Sequence, residues 1–177
     1  MTTVKGQDKL YSKNILTKKF NLSFKDLKGN IDKKLLNKIS KEYEGKCILE
    51  GYIKKKSCNI ISYSTGIITE GNKIVFSIVF ECDVCLPMEG NKIDCIVKNV
   101  TKAGIRAEID DDVSPLVIFL ARDHHYQNNG FTNININDII TVKIVGKRYE
   151  LNDQYISVIG ELDNSSEIRK PRLQIEE

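Results

Sequence analysis

No stretch of this 177-residue chain comes near the roughly 20 consecutive apolar residues that a membrane-spanning helix requires, and MTTVKGQDKLYSKN at its start lacks the apolar core of a secretory signal. Membrane insertion and export are therefore not expected; an intracellular location is. Histidine is nearly absent, with two residues side by side at 124 and 125. They give no H-E-x-x-H spacing, and the Cys82-Asp-Val-Cys85 pair has no second CxxC to complete a metal site. There is also no phosphate-cradling glycine loop and no carboxylate pair set beside a nucleophile. Catalysis, a bound metal and a cofactor are accordingly not expected. Five cysteines, an odd number at irregular spacing, read as free thiols rather than a disulfide framework. On an alternating strand Cys82 and Cys85 fall on opposite faces, which makes them structural thiols.

The composition, 41% hydrophobic and 29% charged, is that of an ordinary globular protein. Its charge is unevenly spread. Residues 1–87 hold 16 Lys and Arg against nine Asp and Glu, whereas residues 88–162 hold eight against 11. A general electrostatic attraction of the second half for nucleic acid is thus not assumed.

Along the chain, residues 1–9 carry no periodic signal, and Leu10–Leu22 alternates enough for one or two strand pieces. In the next segment Ile31, Leu35, Ile39 and Tyr43 recur every four residues, lining one face of a helix capped by Asn30 and ended by Gly45. Cys47–Ile53, Asn59–Ser62 and Ile74–Cys85 read as strands, the last with Ile74, Phe76, Ile78, Phe80, Cys82 and Val84 on one face. Pro87 marks a boundary. Beyond it five strand-like runs follow: Lys92–Lys98, Gly104–Ile109, Leu116–Ala121, Ile139–Val145 and Tyr155–Leu162. Short strands with turn-rich gaps and no strong helix fit a small antiparallel barrel. The expected fold is α+β over 1–87, a helix on an antiparallel sheet, then an all-β five-stranded barrel of OB type over 88–162, with a flexible tail over 163–177.

Candidate functional residues are few. Arg122-Asp-His-His125 is the densest polar cluster, placed at a strand end where a ligand-contacting or capping role outweighs catalysis. Lys54–Lys56 reads equally well as a solvated loop or as a contact for nucleic acid or an acidic partner. In the barrel, Lys98, Lys102, Arg106, Arg122, Lys143, Lys147 and Arg148 fall on or beside strands. Arg106 alternates with Ile105 and Ala107, which puts its guanidinium outward, either to stack on a base or merely to pair with Glu108.

With EGNKIDCIVKNVTKAGIRAEI (89–109), DIITVKIVGKRYELND (138–153) and ISVIGEL (156–162) in view, the chain resembles the seventh-subunit family of multisubunit RNA polymerases. This is the larger stalk protein of nuclear RNA polymerase II and of the archaeal enzyme. The resemblance implies a non-catalytic accessory subunit: an N-terminal tip domain over 1–87 that docks on the large polymerase subunits, and an OB-fold barrel that meets nascent single-stranded RNA. It matches the family's glycine-containing docking loop to Ser62, Tyr63, Ser64, Thr65 and Gly66. It projects RNA contact onto Lys98, Lys102, Arg106, Phe119, Arg122, His124, Lys147 and Arg148. A small stalk partner is implied as well. So is a nuclear location for a cellular protein, or the host cytoplasm or virion for one encoded by a large DNA virus. Relatives often carry an aromatic where Arg106 stands. Two other readings stay open: a free-standing OB-fold RNA-binding protein of translation or RNA decay, and an enzyme built on the Cys or His clusters.

Overall fold

A computed structural model describes residues 10–70, 73–111, 113–126, 130–163 and 169–170. The expectation of a loose segment over 1–9 lies outside the described residues. The chain divides into two compact units, one from Tyr11 to Leu86 and one that takes in the chain from Pro87 onward.

In the first unit the elements run β1 (Tyr11–Ser23), α1 (Ile31–Tyr43), β2 (Cys47–Ile48), β3 (Gly51–Ile53), β4 (Asn59–Tyr63), β5 (Ile67–Thr69) and β6 (Lys73–Cys85). β6 is the spine. On one side it pairs with β1 over its whole length, from Tyr11 opposite Cys85 to Ser23 opposite Lys73. On the other it pairs in turn with β3, β4 and β5. The stretch read as one or two strand pieces is thus a single 13-residue strand, because an unbroken antiparallel ladder outweighs its uneven alternation. Conversely, Cys47–Ile53 is not one strand but two short ones folded on each other across Leu49 and Glu50.

The helix forms where its periodicity places it. The Asn30 side chain accepts a hydrogen bond from the Lys33 backbone N–H at 3.2 Å, satisfying one of the unpaired donors at the helix N-terminus. Gly45 takes a left-handed φ of 73° just past the C-terminus, a conformation that costs glycine little. Leu35 and Ile39 are fully buried, and Ile31 and Tyr43 pack at the margin of the same core. That core contains Phe20, Phe76, Ile78 and Phe80 from β1 and β6. The Tyr43 ring stands edge-on to Phe20 at 5.6 Å and stacks on Phe80 at 6.1 Å. All six residues expected on the inner face of β6 are buried. Cys85 is buried too, and it is not part of the core that holds Cys82.

The second unit contains β7 (Lys92–Val100), β8 (Gly104–Glu108), β9 (Leu116–Ala121), β10 (Ile139–Arg148) and β11 (Ile156–Leu162). They close into a barrel in the order β10, β11, β9, β8, β7, with β7 and β10 paired. All pairings are antiparallel except β9 with β11. This connectivity fits the OB type, in which the third and fifth strands run parallel. Inward residues alternate with outward ones: Ile105 and Ala107 on β8, Leu116, Ile118 and Leu120 on β9, and Ile156 and Val158 on β11 are all buried. Phe131 and Ile134, from the long connection between β9 and β10, are buried as well. Of the tail, Arg169 is tied to the barrel rather than free. It exchanges two backbone hydrogen bonds with Ile139, and its guanidinium meets Asp94 at 2.9 Å. The rest of the segment expected to be a flexible tail, apart from Asp163 and Lys170, lies outside the described residues.

Leu35→Ala should lower the stability of the chain by about 3 kcal/mol in urea unfolding, the usual cost of emptying a fully buried leucine site. Alkaline pH should also weaken the barrel. Burial, and next the charge of Asp94, push the Cys95 thiol up to about 12. The folded state therefore keeps this proton where the unfolded chain releases it. Stability from this group is intact below the ordinary thiol range and falls as pH rises toward about 12. Cys95→Ser should show a shallower decline than the wild type when unfolding is compared at pH values across that window.

Candidate nucleic-acid interface

Two rows of outward side chains cross the barrel wall, set by strand register. In the first, Asn99 on β7 lies opposite Arg106 on β8, Arg106 opposite Phe119 on β9, and Phe119 beside Ile159 on β11. All four are exposed, Phe119 at 39% and Ile159 at 50%. The second row, one pleat along, runs Glu108, Val117, Ser157 and Arg148. A cation, an aromatic ring and an aliphatic side chain thus stand next to one another on adjacent strands. Such a surface offers a π face, an apolar flank and a planar donor fork.

The ring of Phe119 is seated by what is missing beneath it. A Cβ on Gly104 would come within 3.0 Å of the Phe119 ring and would collide with the Leu120 carbonyl. Glycine at the start of β8 is therefore a packing requirement for both the hairpin and the ring. The turn before it is fastened by Thr101, whose backbone N–H donates to the Gly104 carbonyl at 2.8 Å and whose hydroxyl accepts from the Gly104 N–H at 3.2 Å.

The projected RNA-contacting residues do not all gather here. Arg106 and Phe119 are direct cross-strand neighbours, and Arg148 lies in the second row. Lys98 sits in a bulge of β7 between Val97 and Asn99, and Lys102 in the following turn; both are exposed. Arg122, by contrast, is bound back onto the fold: its guanidinium donates to the Lys102 and Thr101 carbonyls at 3.0 and 3.1 Å and lies 5.5 Å from the Phe131 ring centre. It clamps the β7–β8 turn. Lys147 donates to the Pro87 carbonyl at 2.7 Å. His124 is exposed in the short 3₁₀ turn that follows β9, away from the Arg106–Phe119 row in register. Ile159 was not among the expected contacts, yet the alternation of Ile156, Val158 and Gly160 inward already points it outward.

The cations are locally offset. Arg106 pairs with Glu108 at 2.8 Å and Arg148 with Glu150 at 3.2 Å, all four side chains being at least partly exposed. Exposed pairs of this kind contribute at most about 1 kcal/mol, so either arginine can leave its partner at little cost. The pairing anticipated between Arg106 and Glu108 is therefore present without fixing the arginine.

His125, the second member of the polar cluster, is a buried structural residue. Its Nδ1 faces the Ala121 carbonyl at 2.7 Å and its Nε2 faces the Leu162 N–H at 2.9 Å. These partners require a neutral ring with the proton on Nδ1. The ring also stacks on Phe131 at 4.5 Å. It thereby joins the ends of β9 and β11.

In the first unit, Ser62 and Tyr63 end β4, and Ser64, Thr65 and Gly66 form the link to β5; all five are exposed. Ser64 is held by Ser77, through a backbone bond of 2.9 Å to its carbonyl and a side-chain bond of 3.0 Å from its N–H. A Cβ on Gly66 would meet Ile74 and Phe76 side chains within 3.0 Å, so the link lies flat on β6. From Cys58 to Thr69 the chain bears no charged residue, and Ile61, Tyr63, Ile67 and Ile68 are 40–69% exposed there. A groove of about 270 Å³ there is lined by Leu36, Ile60 and Tyr63 together with the charged Asp32 and Lys33. Lys54 lies over the Tyr11 ring at 4.6 Å, so at least this member of the 54–56 triplet is engaged within its own unit. Among the described residues no three His, Cys, Asp or Glu side chains are grouped to hold a metal ion.

His125→Ala should cost about 2–3 kcal/mol, the sum expected for a stripped buried N–H and a lost ring contact; thermal unfolding of the full chain would measure it. His124→Ala, exposed and one residue away, should leave the transition unmoved.

Comparison with known proteins bears on both units together. No protein-family model matches the chain. It is similar, at 28% identity over 172 residues, to a protein of Acanthamoeba polyphaga mimivirus named "Putative DNA-directed RNA polymerase subunit", with 89% of this chain and 84% of that protein covered.

Proposed function

We propose that the chain is a non-catalytic stalk subunit of a DNA-directed RNA polymerase, docking through residues 1–87 and meeting emerging transcript with the barrel. The observation that carries the reading is the similarity to a viral polymerase subunit, which extends over 89% of the chain and so cannot be confined to either unit alone. It supports an RNA polymerase subunit; the stalk role rests on the resemblance to the seventh-subunit family, and RNA contact on that resemblance together with the exposed rows of the barrel. For docking, the uncharged edge from Ser62 to Gly66 with its exposed Ile61, Tyr63, Ile67 and Ile68 offers the apolar area that a stable subunit contact needs. The large polymerase subunits are its partners, and a small stalk protein is a further one.

For RNA, the barrel's negative balance and its self-paired arginines argue that binding is weak and rests on stacking more than on charge. A single strand laid across the rows would place a base on Phe119 against Ile159, with Arg106 turning from Glu108 to a phosphate or a second base. Such a contact is tolerant of sequence, as a transcript of arbitrary sequence demands.

Affinity purification of the tagged chain from its native source should recover the large polymerase subunits. RNA crosslinking without them would favour a free-standing RNA-binding protein and overturn the proposal. Within the assembled enzyme, Phe119→Ala should reduce RNA crosslinking roughly tenfold, the equivalent of losing one base–aromatic stack. Arg106→Ala should reduce it less and flatten its salt dependence by about one phosphate's share. Neither should release the chain from the polymerase. Unchanged crosslinking in both variants would remove RNA contact from this face.

A further inference from the structure

None of the five cysteines is in a disulfide, yet two of them, distant in sequence, are neighbours in space. The antiparallel register of β4 with β6 puts Asn59 opposite Glu81 and Ile60 opposite Phe80. The next step places Cys58 opposite Cys82. Directly opposed residues on antiparallel strands have Cα atoms about 4.5–5.5 Å apart, inside the roughly 4.4–6.8 Å that disulfides span. Each thiol is the leading influence on the proton of the other, raising Cys58 and lowering Cys82, as two opposed neighbours would be. Their exposure differs: Cys58 is half-buried at the margin of the core, and Cys82 is buried within it. The Cys82-Asp-Val-Cys85 motif is therefore not the relevant pair, since its two sulfurs belong to different faces of β6.

We propose that Cys58 and Cys82 form a site of reversible thiol oxidation, at which a peroxide converts the pair to a cross-strand disulfide that locks the start of β4 to β6. The sulfur of Cys58, the less buried of the two, attacks one peroxide oxygen. The O–O bond breaks, the thiol proton leaves with the departing oxygen as water, and Cys58 becomes a sulfenic acid. The Cys82 sulfur then attacks Cys58; the S–S bond forms, the S–O bond breaks, and the hydroxyl leaves as water with the Cys82 proton. Two thiols are oxidised by two electrons and one peroxide is reduced to two waters. A small thiol reverses the change by exchange.

Lesser burial, not acidity, makes Cys58 the first thiol to meet oxidant. The Cys82 thiol, then burial and the charge of Glu44, raise Cys58, whereas the Cys58 thiol lowers Cys82. Glu44 is close because its carboxylate accepts the Cys58 backbone N–H at 3.1 Å. The first step is thus slow, requiring sustained oxidant, and the second is quick, because the resolving thiol stands directly opposite in the register and gives up its proton more readily. Locking the pair closes a loop that contains all of β4 and β5 and removes the fraying freedom of that edge. The inference stands on this pair alone and does not depend on the polymerase reading.

The full-length protein, reduced and then exposed to hydrogen peroxide without denaturant, should lose two hydrogens. Peptide mapping, with fragmentation that separates Cys82 from Cys85, should join Cys58 to Cys82. The thermal midpoint should rise by several degrees, and dithiothreitol should restore both mass and midpoint. Cys58→Ser should abolish the crosslink and the shift. Mapping on the wild type keeps the test valid even if Cys82→Ser does not fold. Overoxidation of Cys58 to the sulfinic acid with no crosslink, a bridge to Cys85 or Cys47 instead, or no oxidation under peroxide would each overturn the inference.

Discussion

The ladder along β6 carries the first unit. Thirteen residues, Lys73–Cys85, are bonded on one flank to a strand of equal length and on the other to three short strands in sequence. Because successive side chains leave a strand on opposite faces, this single pairing decides three things at once. It sends Ile74, Phe76, Ile78, Phe80, Cys82 and Val84 under the helix, it holds the uncharged β4–β5 edge at the rim, and it brings Cys58 to Cys82. A one-residue slip would undo all three. The same rule governs the barrel, where the register that buries Ile105, Ala107, Ile118 and Val158 leaves Arg106, Phe119 and Ile159 in a line outside.

Where that rule is interrupted, side chains are re-aimed. Register shifts occur between Ile60 and Ser62, between Val97 and Asn99, and between Ile144 and Gly146. Each leaves its extra residue unpaired, as bulges do, and Ile61, Lys98 and Val145 are all exposed. Ile61 falls on the candidate docking edge, and Lys98 falls beside the Arg106 row. Alternation already points these three outward; what the bulges re-aim is the residue that follows, and Ser62 and Asn99 are exposed as well. The Asn152-Asp153 element is different: Asn152 adopts a left-handed φ of 70° and the Asp153 carboxylate accepts the Glu150 N–H at 2.7 Å. It is turn chemistry, which explains its fixed place after β10 without a functional role.

Local patterns were legible in the sequence, and pairings between distant segments were not. The helix with its Asn30 cap, the two-faced β6 and the five barrel strands follow from periodicities within a dozen residues. The continuity of β1 was hidden because its partner lies some sixty residues on, and the break at Leu49–Glu50 because neither residue is a strong turn former. Of the site, Arg106 and its Glu108 partner could be read from alternation within β8. Arg122 and Lys147 could not, because both spend their donors on backbone carbonyls of other segments, and no property of a basic residue in sequence reveals that. His125 is the same case in reverse: an apparent reactive cluster is half scaffold, since its ring nitrogens are consumed by Ala121 and Leu162. The Cys58–Cys82 contact likewise depends on a register that only the folded sheet defines.

The distribution of charge bears on how a strand of RNA would be held. A barrel that grips through many phosphates holds its ligand by releasing counterions and loses it steeply with salt. Here two of the arginines on the rows face their own carboxylates, Glu108 and Glu150, and a third projected cation, Arg122, is committed to the β7–β8 turn. Beside the exposed Lys98 and Lys102, what that surface offers is π and aliphatic area, Phe119 with Ile159. Stacking on such area has no preferred direction along the strand and no base code, and each contact is broken at a cost of only about 1–3 kcal/mol. For a ligand that must advance one nucleotide at a time past a fixed protein, a shallow and repetitive attraction is mechanically preferable to a deep one, since every step exchanges one base for the next at nearly constant free energy. On the proposed reading Phe119 would supply the stacking face of such a surface, and Arg106, loosely held by Glu108, its adjustable flank.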